Sequence, residues 1–232
     1  MFFPFFWDPT MLLLLPALAL AFYAQWKVRD TYKKMSQVRS AAGRTGREVA
    51  QILMQANGIS GVNIEEVGGI LSDNFDPRGR VIHLSQDIYE SDSIAALAVA
   101  AHEVGHVIQH HRGYAPIRIR DAMVPAVGFG SMLAFPLFFI GFIFSRSFGI
   151  FFMDLGIALF GLAVLFHLVT LPTEFDASRR ALRELGDRAL LAPGEVAMAR
   201  QVLNAAALTY VAAAAMALLQ LLRLVLLRNS RD

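Results

Sequence analysis

The chain contains no cysteine. Disulfides and thiolate ligands are therefore excluded, and any metal site must draw on His, Asp or Glu. Charge is also sparse: 17 % of the 232 residues are Asp, Glu, Lys or Arg, against 56 % hydrophobic. Soluble domains rarely combine such values, so the balance points to a membrane protein. A net charge of +2 is too small to argue for a nucleic-acid partner. A Gly-x-x-x-x-Gly-Lys phosphate loop, internal repeats and low-complexity segments are absent as well.

What the chain has in abundance is long apolar runs. They are Met11 to Trp26, with the aromatic-rich Phe2 to Trp7 before it, then Met123 to Phe144, Gly149 to Leu171 and Ala206 to Leu227. Each approaches the ~20 residues with which a helix spans a bilayer, the first being shortest. That first run has its basic residues after it rather than before it and lacks a small-residue cleavage site, so it reads as an uncleaved anchor. Lys27, Arg29, Lys33, Lys34, Arg39, Arg44 and Arg47 follow it directly. The positive-inside rule then sets residues 27–120 and 173–205 in the cytoplasm and the N-terminus outside. These two segments hold seventeen of the 21 Lys and Arg, so the rule and the four-span count agree.

The expected organisation is a membrane anchor at 1–26, a cytoplasmic catalytic region at 27–120, a transmembrane hairpin at 121–172, cytoplasmic helices at 173–205, and a transmembrane helix with its tail at 206–232. The expected location is the inner (plasma) membrane, crossed several times.

In the first cytoplasmic segment Thr45-Gly46-Arg47-Glu48 is a capping box, and the helix it opens should stop at Gly58. Strands are expected over 61–67, 70–75 and 80–84, with a turn at Asp76-Pro77-Arg78-Gly79. They would form a small antiparallel sheet, its third strand an edge able to pair with an extended substrate. Pro193 suits a first helical position, and nothing breaks the pattern from there to Leu227.

The richest segment is Ala101-His102-Glu103-Val104-Gly105-His106, which carries His-Glu-x-x-His on a helix. Residues four apart share a helix face, so His102 and His106 can direct their imidazoles at one ion. Glu103 beside them can reach a metal-activated water without being a ligand, as general base. Two imidazoles and one carboxylate suit zinc, with a fourth position left for water. With six His and eight Glu, chance yields this pattern in roughly one such chain in two hundred. The apolar surroundings fit a buried site better than a solvated face.

The carboxylates nearest a helix end downstream are Glu174 and Asp176, in Pro172-Thr173-Glu174-Phe175-Asp176-Ala177-Ser178. Taken alone they could simply cap a short helix that starts where the third span ends. Together with the His-Glu-x-x-His segment, Leu71-Ser72-Asp73, Phe75-Asp76-Pro77-Arg78 and Leu84-Ser85, they resemble the YugP-type bacterial membrane zinc metallopeptidases. The resemblance runs from about Gly43 to Tyr210. More distantly, the pattern is similar to gluzincin membrane proteases of the HtpX and CAAX-prenyl endopeptidase type.

That likeness implies a mainly α membrane protein: four transmembrane helices and a cytoplasmic α+β zincin-like (gluzincin) catalytic domain. It implies one Zn2+ per chain on His102, His106 and Glu174, with Glu103 as catalytic base. In the wider pattern an Asp four residues after the third ligand braces a histidine; Ser178 occupies that position here, and Asp176 is the alternative partner.

His167 and Tyr210, near the inner ends of the third and fourth spans, are candidates for a role beside the site, Tyr210 as a donor to the oxyanion. His110 and His111 read as a basic helix end and His83 as a strand residue.

The expected activity is hydrolysis of peptide bonds in membrane or membrane-proximal proteins. The expected partners are the lipid bilayer and a protein or peptide substrate, with a homo-oligomer or a membrane partner protein left open. The rivals are a site-2-type intramembrane protease and a non-catalytic metal-binding scaffold or transporter. Finally, Asp154 and Arg223 fall at similar depth in neighbouring spans and are expected to pair.

Overall fold

The computed structural model describes residues 8–69, 72–144 and 146–230. The aromatic run from Phe2 to Trp7 and two residues of the expected second strand lie outside them. Four helices are long and apolar enough to cross a membrane: Pro9–Met35, Ala115–Ile143, Phe148–Asp187 and Pro193–Asn229. The chain divides into two compact units. One comprises residues 1–23, 119–171 and 209–232; the other comprises 24–118 and 172–208.

The first unit is built from α1 (Leu15–Met35), α5 (Ala115–Ile143), α6 (Arg146–Asp187) and α7 (Pro193–Asn229), in the parts of each that fall within it. Helices in lipid gain little from burying apolar surface against each other, so they depend on close backbone packing through small residues. Here α5 and α6 meet at glycines. A Cβ on Gly141 would collide with the Gly149 carbonyl oxygen, and one on Gly156 would lie 2.6 Å from that of Ala134. Phe138, Met153 and Leu224 fill the space between helices. Phe129, Met132, Ile143 and Phe151 stay more than 60 % exposed, a surface suited to lipid.

The expected Asp154–Arg223 pair does not form. Arg223 bonds Asp8 at 2.8 Å and Thr10 Oγ at 3.2 Å, while Asp154 pairs with Arg228 at 2.9 Å. Depth along the helices was readable from sequence, but their rotation was not. Arg223 faces the short 3-10 helix Pro9–Leu14, whose N-cap is Asp8. Arg228, five residues on, is the cation that reaches Asp154. The Asp8–Arg223 contact is the more buried of the two. Removing one member of a buried pair leaves a buried charge and costs more than breaking an exposed pair. In detergent, Asp8→Ala should therefore lower the unfolding temperature more than Asp154→Ala. A double-mutant cycle should show coupling for Asp8/Arg223 and additivity for Asp154/Arg223.

The second unit holds α2 (Gly46–Ala56), β1 (Asn63–Val67), β2 (Asn74–Asp76), β3 (Val81–Ser85), α3 (Gln86–Tyr89) and α4 (Ile94–His111), with the adjoining parts of α1, α5, α6 and α7. Thr45 and Glu48 close the capping box on α2, and Gly58 follows that helix with φ +67°, a conformation that favours glycine.

The sheet differs from expectation. Its order is β1-β3-β2, with β3 parallel to β1 and antiparallel to β2. It is mixed rather than antiparallel, and β3 is the central strand. β3 therefore has no free edge to offer a substrate; the edges are β1 and β2. The alternation that marks a strand says nothing of which neighbour it pairs with.

Helix α4 runs through the core with Ser93 as N-cap, and fourteen of its eighteen residues are buried. Such a helix must be apolar all round, and any polar group on it must find a partner. Its neighbours include Leu53 of α2, Ile82 and Leu84 of β3, and Ala181 and Leu185 of α6. One further expectation is corrected. No new helix starts at Thr173, because α6 continues unbroken through Pro172. The proline lacks one amide donor, but the turns on either side sustain the helix.

Candidate active site

On α4 the rings of His102 and His106 lie with centroids 4.8 Å apart and planes at 86°. Both Nε2 atoms face one carboxylate oxygen. Glu174 Oε2 is 3.3 Å from His102 Nε2 and 3.6 Å from His106 Nε2. The three residues form the one cluster among the described residues whose donor atoms could hold a metal ion. Bonds of about 2.1 Å at tetrahedral angles separate neighbouring ligand atoms by roughly 3.4 Å. The donor set and its spacing therefore fit zinc.

The far sides of both imidazoles are also held. Ser178 Oγ lies 3.2 Å from His102 Nδ1, and Gln109 Oε1 lies 3.0 Å from His106 Nδ1. Gln109 is fully buried. Its amide nitrogen donates to the Thr173 carbonyl oxygen at 2.8 Å and to Asp176 Oδ2 at 2.9 Å. Those bonds orient the amide so that its oxygen faces His106. The proton then belongs on Nδ1, and Nε2 keeps its lone pair for a metal. Asp176 thus acts through Gln109 and not on a histidine directly. Arg180 holds Asp176 at 2.5 Å and stacks over Tyr114. Ser178 stands at the position where the wider pattern has Asp, and its hydroxyl reaches the ring nitrogen.

Burial pushes the Glu103 carboxyl above its ordinary range, while the neighbouring His102 and His106 pull the other way and only partly offset it. For Glu174 burial also raises the pKa, but the hydrogen bonds and charge of His102 and His106 outweigh it. Its carboxyl is held well below the usual range, which keeps it an anion. Burial thus works against the charge on Glu103, while the histidine pair favours the charge on Glu174.

Gly105, between the histidines, explains how Glu174 gets there. A Cβ on Gly105 would lie 2.6 Å from the Ala177 carbonyl oxygen and 3.1 Å from its Cα. Only glycine lets α4 and α6 touch backbone to backbone at this point. Glu174 is three residues before Ala177 and Ser178 directly follows it, so this contact sets both over the histidines.

Gln109 and Gly105 were not singled out from sequence. A signal existed for Gln109, which shares the His102 and His106 face at i+7 on an otherwise apolar helix. None existed for Gly105, whose role depends on a residue 72 positions away. Of the other candidates, His110 packs edge-on against Phe75, and His83 sits in the central strand. His167 and Tyr210 belong to the other compact unit.

Comparison with known proteins gives the family of the chain. Residues 10–229 match the family described as "Putative neutral zinc metallopeptidase". The "Putative membrane protease YugP" of Bacillus subtilis (strain 168) is 43 % identical over 221 residues, covering 95 % of this chain and 97 % of that protein. No solved structure matches. A histidine pair and a carboxylate spaced for zinc, on a chain matched over nearly its whole length, thus lead to one conclusion: the chain belongs to this zinc metallopeptidase family.

Proposed function

We propose that the protein is a membrane zinc endopeptidase that hydrolyses peptide bonds of membrane or membrane-proximal proteins at the cytoplasmic face. In this reading His102, His106 and Glu174 hold the metal and Glu103 is the general base. The observation that carries it is the convergence of two imidazole Nε2 atoms on the Glu174 carboxylate, with both Nδ1 atoms already engaged.

Zinc bound there supplies a water activated near neutral pH and a Lewis acid for the scissile carbonyl. Glu103 accepts the proton of the attacking water and returns it to the leaving amine. Its burial favours the protonated form in between. Ser178 and Gln109 fix the histidine rings, and Asp176 fixes Gln109.

The intramembrane rival fits poorly, because α4 is 18 residues long and is not among the four helices fit to span a bilayer. A non-catalytic scaffold has no need of Glu103 beside the ligands.

Hydrolysis of a membrane-protein substrate by the purified full chain should stop on chelation and return with zinc. Undiminished hydrolysis by protein shown to be metal-free would refute the reading.

The orientation has its own test, made clean by the absence of native cysteine. In intact cells a cysteine at exposed Ala42 should be protected from an impermeant thiol reagent, and one at exposed Ser230 should be labelled. The reverse pattern would move the site across the membrane.

A further inference from the structure

A cavity of about 490 Å³ opens between α6 and α7 and lies wholly within the second compact unit. Its α6 wall is Pro172, Phe175, Arg179 and Leu182, and its α7 wall is Arg200, Asn204 and Ala207. Both sets repeat at helical spacing, so each is one helix face.

The two ends of the cavity differ in chemistry. Pro172 directly follows the apolar run that ends at Leu171, and Ala207 lies at the start of the run that begins at Ala206. The membrane-proximal end is therefore apolar, and Phe175 is 43 % exposed there. Seven residues further from each span come Arg179 and Arg200, about 10 Å along the helices. That lies a few ångströms beyond the lipid headgroup layer, which is roughly 5–7 Å thick and which long arginine side chains can reach back into.

Among the described residues neither arginine has an ion-pair or hydrogen-bond partner. The one carboxylate in the cavity, Asp176, is taken by Arg180 and Gln109. Two exposed arginines with no acid to answer them, above an apolar floor at the membrane boundary, complement one kind of molecule: a phosphate with an attached chain.

We propose that this cavity binds an anionic phospholipid, its headgroup phosphate between Arg179 and Arg200 and the start of its acyl chains against Pro172, Phe175 and Ala207. The proposal is independent of catalysis, although the cavity shares Ser178 and Asp176 with the bracing of the histidines.

The test is native mass spectrometry of the full chain released from nanodiscs of phosphatidylglycerol or phosphatidylcholine. Wild-type protein should retain phosphatidylglycerol at least fivefold over phosphatidylcholine. Arg179→Gln with Arg200→Gln should reduce retention to the phosphatidylcholine level, with zinc content unchanged. Arg78→Gln, at an exposed turn, should leave it as in wild type. Both arginines are exposed, so their loss does not threaten the fold. Equal phosphatidylglycerol retention by wild type and double variant would overturn the proposal. So would displacement of the lipid by an equal concentration of glycerol phosphate or of an acidic peptide, which would make the ligand a soluble phosphate or a substrate segment.

Discussion

Glu103→Gln should abolish measurable hydrolysis and leave zinc near one per chain. The amide keeps the size and shape of the side chain, so the metal donors stay in place. It cannot take a proton from the attacking water. General-base assistance typically contributes 10²- to 10⁴-fold, so kcat/KM should fall by at least about a hundredfold. Burial works against the charge on this carboxyl, so a neutral amide of the same shape should not destabilise the fold. Zinc content and thermal unfolding should therefore match wild type. If the variant cleaves at the wild-type rate, Glu103 is not the base. If it loses zinc as well, Glu103 belongs to the metal-holding set instead.

Gly105→Ala should lose zinc although it alters no donor. The added methyl would meet the Ala177 backbone at 2.6 Å, and backbone cannot swing aside as a flexible side chain can. α4 and α6 must separate by roughly an ångström, and Glu174 and Ser178 move with α6. Overpacking of this kind costs about 1–3 kcal/mol, partly offset by about 1 kcal/mol from the higher helix propensity of alanine. The fold should persist with a loosened site. Zinc affinity should drop at least tenfold, approaching the loss in Glu174→Ala, where a three-donor site becomes a two-donor one. Titration with a competing chelator measures both. Wild-type zinc affinity in Gly105→Ala would show that the helix contact does not set the site.

Features that depend on neighbours in the chain could be read from sequence. The His102–Glu103–His106 spacing, the Thr45–Glu48 box and the unbroken helix from Pro193 are local, and the structure carries each. Features that depend on which segments meet in space could not. The parallel pairing of β1 with β3 joins strands that flank β2, and no local pattern encodes that order. The partners of Arg223 and Arg228 follow from helix rotation, which hydropathy does not report. Pro172 looked like a boundary because proline usually ends helices, yet α6 passes through it. Glu174 stands between these cases. Composition narrowed the acids near that helix to two, family likeness chose one, and the fold brings that one within 3.6 Å of both histidines.

The central claim is that His102, His106 and Glu174 together hold a catalytic zinc. Zinc X-ray absorption on the purified full chain tests it most directly, with Glu103→Gln used to prevent self-cleavage. The expected spectrum shows one zinc per chain with two imidazoles and only nitrogen and oxygen neighbours. In His106→Ala one imidazole should disappear from the spectrum, or the zinc should be lost. A chain that keeps its full zinc and an unchanged spectrum when His106 is removed would contradict the claim.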